Sequence, residues 1–119
     1  MSRIYSHYLA DMADSCEHIR SYVAGKTFDE FVADRKTVDA VARNLEIIGE
    51  AAKNVPDEIL AEKSDIPWKQ VRRFRDKIAH HYFDLNLERV WTIIQTDIDT
   101  LETSVRDLLA KRLEIEDLD

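Results

Sequence analysis

Val38-Asp39-Ala40-Val41-Ala42-Arg43-Asn44-Leu45-Glu46-Ile47-Ile48-Gly49-Glu50-Ala51-Ala52-Lys53-Asn54-Val55 decides the fold class. Its apolar residues Val38, Val41, Leu45, Ile48, Ala52 and Val55 recur at intervals of 3-4-3-4-3. That is the period of one helix face, whereas a half-buried strand would alternate every second residue. The stretch predicts a helix from about Lys36 to Asn54, closed off before Pro56, which has no N–H to continue it. Gly49 lies inside that helix, where it costs ~1 kcal/mol relative to Ala. A glycine kept there marks a close helix crossing or a place where a ligand approaches the backbone.

The same period extends in both directions. Upstream, Tyr5, Leu9, Met12, Cys16, Ile19 and Val23 are spaced 4-3-4-3-4, which predicts a helix from about Ser2 to Ala24 with Gly25 as its stop. Thr27, with Glu30 three residues on, forms a capping box for a short second helix. Downstream, Asp57 to Lys63 is long enough for a turn or two of helix. Pro67 then suits the first position of another helix, with Asp65 or Ile66 near its cap. Val71, Phe74 and Ile78 are the buried stripe of that helix, which should run to about His81. Asn86 caps a final helix striped by Leu87, Val90, Ile94, Ile98, Leu101, Val105 and Leu108. Four main helices with short connections predict an all-α, antiparallel four-helix bundle with short additional helices. We place one helical domain at residues 1–112 and an acidic tail at 113–119.

Length and composition narrow the function classes. At 119 residues the chain supports one core and leaves a monomer little room for a deep pocket. The single Cys16 can form no internal disulfide, and Cys and His spacings for zinc are absent. Cys16 therefore reads as a small core residue, and no metal or other cofactor is expected. No apolar run approaches the roughly 20 residues that cross a bilayer, and no signal-peptide core is present, so a cytoplasmic protein is expected. The net charge of −7 argues against a protein that coats nucleic acid nonspecifically.

That total hides an asymmetry. Leu113 to Asp119 carries four carboxylates, whereas Lys69 to Lys77 carries five cations (Lys69, Arg72, Arg73, Arg75, Lys77) and one carboxylate, Asp76. His80, His81 and Tyr82 follow directly. Fixed positive charge beside a group that exchanges protons near neutral pH is what phosphodiester chemistry needs. Arg72, Asp76 and His80 are spaced four apart, which puts Asp76 on the His80 face as a group to orient it. Arg75 and Tyr82, seven apart, return to nearly the same line. Arg75 and His80 are about 140° apart on an ideal helix. They converge only through the reach of the Arg side chain, a distorted last turn, or two copies facing each other across a two-fold axis.

Arg75-Asp76-Lys77-Ile78-Ala79-His80-His81-Tyr82 resembles the Arg-x4-His-x-Tyr signature of the HEPN superfamily. Arg43 to Lys53 and Ile66-Pro67-Trp68 resemble its HepT-like branch, and together the segments cover most of the chain. The resemblance implies a helical homodimer in which Arg and His from both protomers line a cleft that cleaves RNA without metal. It also implies a toxin of a toxin–antitoxin pair, whose partner is a minimal nucleotidyltransferase antitoxin that transfers AMP from ATP to the motif tyrosine, here Tyr82. Asp76 stands where the superfamily often has Asn.

The candidate catalytic residues are thus Arg75 for the phosphate, His80 for proton transfer and Asp76 for orienting His80. Lys69, Arg72, Arg73 and Lys77 are candidate RNA contacts, and Tyr82 is the candidate modification site. His81 reads as a semi-buried packing residue, or as a substitute for His80 in a looser Arg-x5-His reading. His7 and His18 read as surface residues, and Trp68 and Trp91 as anchors of core or interface, with Trp91 a platform for stacking on a base if it faces the cleft. The competing reading is a non-catalytic helical partner or nucleotide-binding subunit of a nucleotidyltransferase.

Overall fold

The computed structural model of the protein describes residues 3–117. Among them are seven α-helices and no strand. The helices are α1 (Arg3–Val23), α2 (Phe28–Ala33), α3 (Arg35–Lys53), α4 (Asp57–Leu60), α5 (Trp68–His81), α6 (Leu87–Thr96) and α7 (Ile98–Asp117). Two 3-10 turns, Ala61–Lys63 and Tyr82–Asp84, extend α4 and α5. No helix among the described residues is long and apolar enough to cross a membrane.

Local chemistry sets the helix ends. Gly25 takes φ +75° after α1, a conformation that a β-carbon disfavours, and the Lys26 N–H closes the turn on the Val23 carbonyl at 2.9 Å. The Thr27 hydroxyl accepts from the Glu30 N–H while Glu30 accepts from the Thr27 N–H, so the expected capping box is complete. Asp34 caps α3 through the Thr37 N–H, and Asn86 caps α6 through the Arg89 N–H. Each such cap is worth about 1 kcal/mol. Pro67 is the residue before α5 rather than its first member.

α1 packs against α3 and α7, α3 also carries α5, and α6 lies on α7 and α2. The core is the predicted stripes: Leu9, Met12, Cys16 and Ile19 from α1, Val41, Ile48 and Ala52 from α3, and Ile98, Val105 and Leu108 from α7. Phe31 of α2 is fully buried and its ring lies 5.2 Å from the Trp91 ring in a tilted contact, and Trp91 also meets Phe28. Trp91 is therefore a core anchor and not a free stacking platform. Trp68 is another anchor, buried and donating its Nε1–H to the carbonyls of Leu60 and Lys63.

Two expectations need correction. The last helix is two, α6 and α7, joined at Asp97. The Thr92 and Thr96 hydroxyls donate back to the carbonyls of Glu88 and Thr92, a side-chain bond that bends helices, and the Thr96 hydroxyl also meets the Asp97 carboxylate. The stripe continues through the bend because the Asp97 N–H still reaches Ile93 and the Leu101 N–H still reaches Asp97. The second correction concerns α5. Only Ile78 of its stripe is fully buried, while Val71 and Phe74 are half-buried and His81 is exposed. α5 packs principally on α3, so Val71 and Phe74 touch the core with one side and line a groove with the other.

α7 runs on through Leu113 to Asp117, which takes in the described part of the acidic segment, and Leu118 and Asp119 lie outside the described residues. The Ser6 hydroxyl donates to Glu116 at 3.0 Å, so this end of α7 touches α1.

Candidate active site

Arg75 is positioned by an absence of side chain. A β-carbon built on Gly49 of α3 would stand 2.5 Å from the Arg75 Cβ and 2.9 Å from the Val71 carbonyl oxygen. Of the two roles open to Gly49, close helix crossing is the one observed, and the residue it admits is the motif arginine.

The guanidinium then meets the polar face of α3. Arg75 Nε lies 3.0 Å from Glu50 Oε2, an ion pair whose angle leaves Nε without a hydrogen bond. Arg75 also reaches Asp76 at 3.4 Å. With its side chain 30 % exposed, Arg75 lines a depression of about 150 Å³ shared with Tyr8, Asp11, Arg43, Glu46 and Glu50.

Asp76 is held by the Lys53 ammonium, a hydrogen bond that keeps its carboxyl below the usual carboxylate range. Among the described residues no hydrogen bond joins Asp76 to His80. The orienting role read from the four-residue spacing is not what this geometry displays, because α3 offers a cation at closer reach.

Tyr82 begins the 3-10 turn after α5. Its ring lies beneath the Arg35 guanidinium, 5.3 Å from the centroid, and meets Phe83 edge-on. The hydroxyl is buried without a hydrogen-bond partner among the described residues. The ring lines a second depression, about 410 Å³, with Asp39, Arg43, Glu46, Ile78 and Ala79. Arg43 and Glu46 border both depressions, so Arg75 and Tyr82 share one face, as their spacing predicts.

His80 lines neither depression. It is exposed on the ridge of α5 that points away from α3, in phase with Lys69 and Arg73 to within about 20° of helical rotation. Within one chain Arg75 and His80 therefore face different ways.

The candidate RNA contacts divide. Lys69, Arg73 and Lys77 make no side-chain hydrogen bond or ion pair among the described residues and are exposed. Arg72 is already committed: Nε and Nη2 donate to the carbonyls of Ala52 and Val55 at 2.9 Å, and Nη1 meets Asp57 at 2.7 Å. It closes the C-terminal end of α3, whose last carbonyls have no partner inside the helix, and is not free to hold a phosphate.

The sequence reading missed Glu50, Lys53, Arg43 and Glu46. Their signal was present: Asp39, Arg43, Glu46, Glu50 and Lys53 repeat at 4-3-4-3, a polar stripe along the same helix as the core stripe. Cys16, by contrast, is the expected core thiol. Burial, helped by the Glu102 carboxylate, pushes it up to about 12, which leaves it protonated and inert at neutral pH. His7 and His18 are at the surface, and His18 stacks on Tyr22 and approaches Asn44.

Comparison with known proteins agrees with the motif. Residues 12–108 match the profile of a family described as ribonuclease HepT-like. The chain belongs to the ribonuclease HepT-like family. A Thermococcus cleftensis protein named as a probable ribonuclease HepT is 39 % identical over 102 residues, covering 86 % of this chain and 93 % of that protein. A Methanocaldococcus jannaschii protein provisionally named an RNase is 40 % identical over 105 residues, covering 85 % of this chain and 87 % of that one. A Caldanaerobacter subterraneus protein with the same provisional name is 40 % identical over 104 residues, covering 87 % and 93 %. No solved structure gives a significant match. The HepT-like match spans α3, α5 and the Gly49 crossing, so the family and the site geometry concern the same residues.

Proposed function

We propose that this HepT-like chain is a metal-independent RNA endonuclease, the toxin of a toxin–antitoxin pair, acting as a homodimer. The observation that carries the reading is Arg75-x4-His80-x-Tyr82, on α5 and the turn that follows it, in a chain whose relatives carry ribonuclease names.

The reaction needs three things: a base for the ribose 2′-hydroxyl, a cation for the charge that grows on phosphorus, and an acid for the leaving oxygen. The 2′-oxygen attacks phosphorus, its proton passes to the base, the bond from phosphorus to the 5′-oxygen breaks, and that oxygen takes a proton. The products are a 2′,3′-cyclic phosphate and a 5′-hydroxyl. His80 transfers protons and Arg75 holds the phosphate. Because one chain turns these residues in different directions, two copies of α5 supply the cleft, and the two His80 side chains divide the base and acid roles. Glu50 partners Arg75 when no phosphate is bound. A half-exposed pair of this kind is worth at most about 1 kcal/mol, so a phosphate displaces Glu50 easily.

Silencing acts at Tyr82. A cognate minimal nucleotidyltransferase antitoxin transfers AMP from ATP to the tyrosine oxygen, with pyrophosphate leaving and the phenol proton passing to a base. The ring must first swing from beneath Arg35. The added phosphodiester and nucleoside then place negative charge and bulk beside the arginine face and repel RNA.

The experiment is expression of the chain alone and together with the nucleotidyltransferase. Growth arrest relieved by His80→Ala, and AMP-sized mass increments that vanish in Tyr82→Phe, are expected. Normal growth with the parent chain alone, while it still forms a complex with the nucleotidyltransferase, is the outcome of a non-catalytic partner subunit and contradicts the proposal.

A further inference from the structure

In this acidic chain most Lys and Arg side chains sit against carboxylates, as Arg20 does with Glu102, Lys63 with Asp107 and Lys111 with Glu62. Among the described residues six have no carboxylate partner, Lys36, Lys69, Arg73, Lys77, Arg89 and Arg112, and three of these gather in one place. Arg73 and Lys77 of α5 and Arg89 of α6 line a cleft of about 260 Å³ with Gln70, Phe74, Leu85 and Asn86. None of the three cations has a side-chain hydrogen bond or ion pair among the described residues, and no carboxylate lines the cleft. Asn86 is the N-cap of the ten-residue α6, so the positive end of that helix opens at the same cleft. Gln70 adds an amide, and Phe74 and Leu85 add an apolar floor. Three unneutralised cations this close repel one another, and a phosphate removes that repulsion.

We infer that this α5–α6 cleft is a second phosphate subsite, which holds single-stranded RNA away from the cutting residues through Arg73, Lys77 and Arg89. Arg89 lies outside the motif and outside the basic run, and only the fold brings it there. The cleft opens beside the ridge that carries His80: Arg73 and His80 are seven residues apart on α5, two turns or about 10 Å. A strand whose scissile phosphate meets His80 therefore continues into the cleft. A mixed cationic and aromatic lining suits a flexible single strand, whose backbone and bases it can contact together. The inference rests on the proposed reading of RNA as substrate, and its site is distinct from the Arg75 face.

The test measures binding of the full chain to a single-stranded 2′-O-methyl RNA oligonucleotide, which lacks the attacking hydroxyl and is not cut, across a salt series. Arg89→Ala is expected to weaken binding at least fivefold at low salt and to make the log–log salt slope shallower by about 0.7, one phosphate contact on a single strand. Arg89→Lys should retain most of both. Lys111→Ala, which removes the same charge far from the cleft, controls for net charge. On cleavable RNA, Arg89→Ala should raise KM with kcat little changed.

Equal affinity and slope in Arg89→Ala and Lys111→Ala would overturn the subsite and leave the nuclease reading standing. A change in self-association with RNA affinity unchanged would also overturn it, and would make the cleft a contact between copies. If the parent chain binds no RNA, both readings fall.

Discussion

Gly49 of α3 and Arg75 of α5 are in backbone contact: a β-carbon at position 49 would lie 3.3 Å from the Arg75 Cα as well as against its Cβ. Neither neighbour is the end of a flexible side chain, so neither can rotate away. Gly49→Ala gains ~1 kcal/mol of helix propensity and meets an overpacking penalty of about 1–3 kcal/mol. The expected result is a net loss on the order of 1 kcal/mol in urea unfolding, with RNA cleavage reduced beyond the loss of folded protein because Arg75 is displaced. A variant as stable and as active as the parent would mean that the crossing does not hold Arg75.

Arg72 and Arg73 are adjacent cations with opposite roles. Arg72→Ala leaves the Val55 carbonyl without its donor and the Ala52 carbonyl with the long 3.4 Å bond from the Val55 N–H, and should destabilise by about 1–3 kcal/mol. Arg73→Ala removes an exposed, unpaired side chain and should change stability by less than about 0.5 kcal/mol. RNA affinity should show the reverse order once folded fractions are matched. Thermal unfolding and oligonucleotide binding of the two variants side by side check the assignment.

This pair also shows what the sequence could and could not convey. Helix stripes, the Thr27 cap, the Gly25 stop and the helical phase of Arg75 against His80 are local patterns, legible because each depends on residues within a turn or two. The work done by Arg72 depends on how the chain leaves α3 between Ala52 and Val55, whose carbonyls lie 20 and 17 residues earlier. The grip of Lys53 on Asp76 and the arrival of Arg89 at α5 are likewise set by packing between helices. Spacing along one helix ranks what can meet on that helix and is silent about a stronger partner on the next. The half-burial of Val71 and Phe74 escaped for the same reason, since a stripe records which face is apolar and not how completely it is covered.

Glu102 of α7 is 8 % exposed, ties α1 to α7 through Arg20 and also holds Arg106 one turn on along its own helix. Burial raises its carboxyl, but the hydrogen bonds from Arg106 and Arg20 outweigh burial and leave it below the usual carboxylate value. A lowered folded value means stability that is complete above the ordinary Glu range, near pH 4.3, and lost as pH falls through the folded value beneath it. Glu102→Gln should be less stable than the parent by about 1–2 kcal/mol at pH 7, a buried pair discounted for its exposed arginines. The gap should narrow as the pH is taken toward 3. Urea midpoints at both pH values decide the matter, and a gap of constant size would show that the charge on Glu102 is irrelevant.

The most direct test of the central claim is the chemistry of the ends left on RNA. The chain, purified without its antitoxin, is incubated in EDTA with a defined single-stranded RNA, and the products are mapped. The account predicts 2′,3′-cyclic phosphate and 5′-hydroxyl ends that disappear in both Arg75→Ala and His80→Ala. Cleavage at the parent rate by either variant, 3′-hydroxyl and 5′-phosphate ends, or no cleavage at all would contradict it.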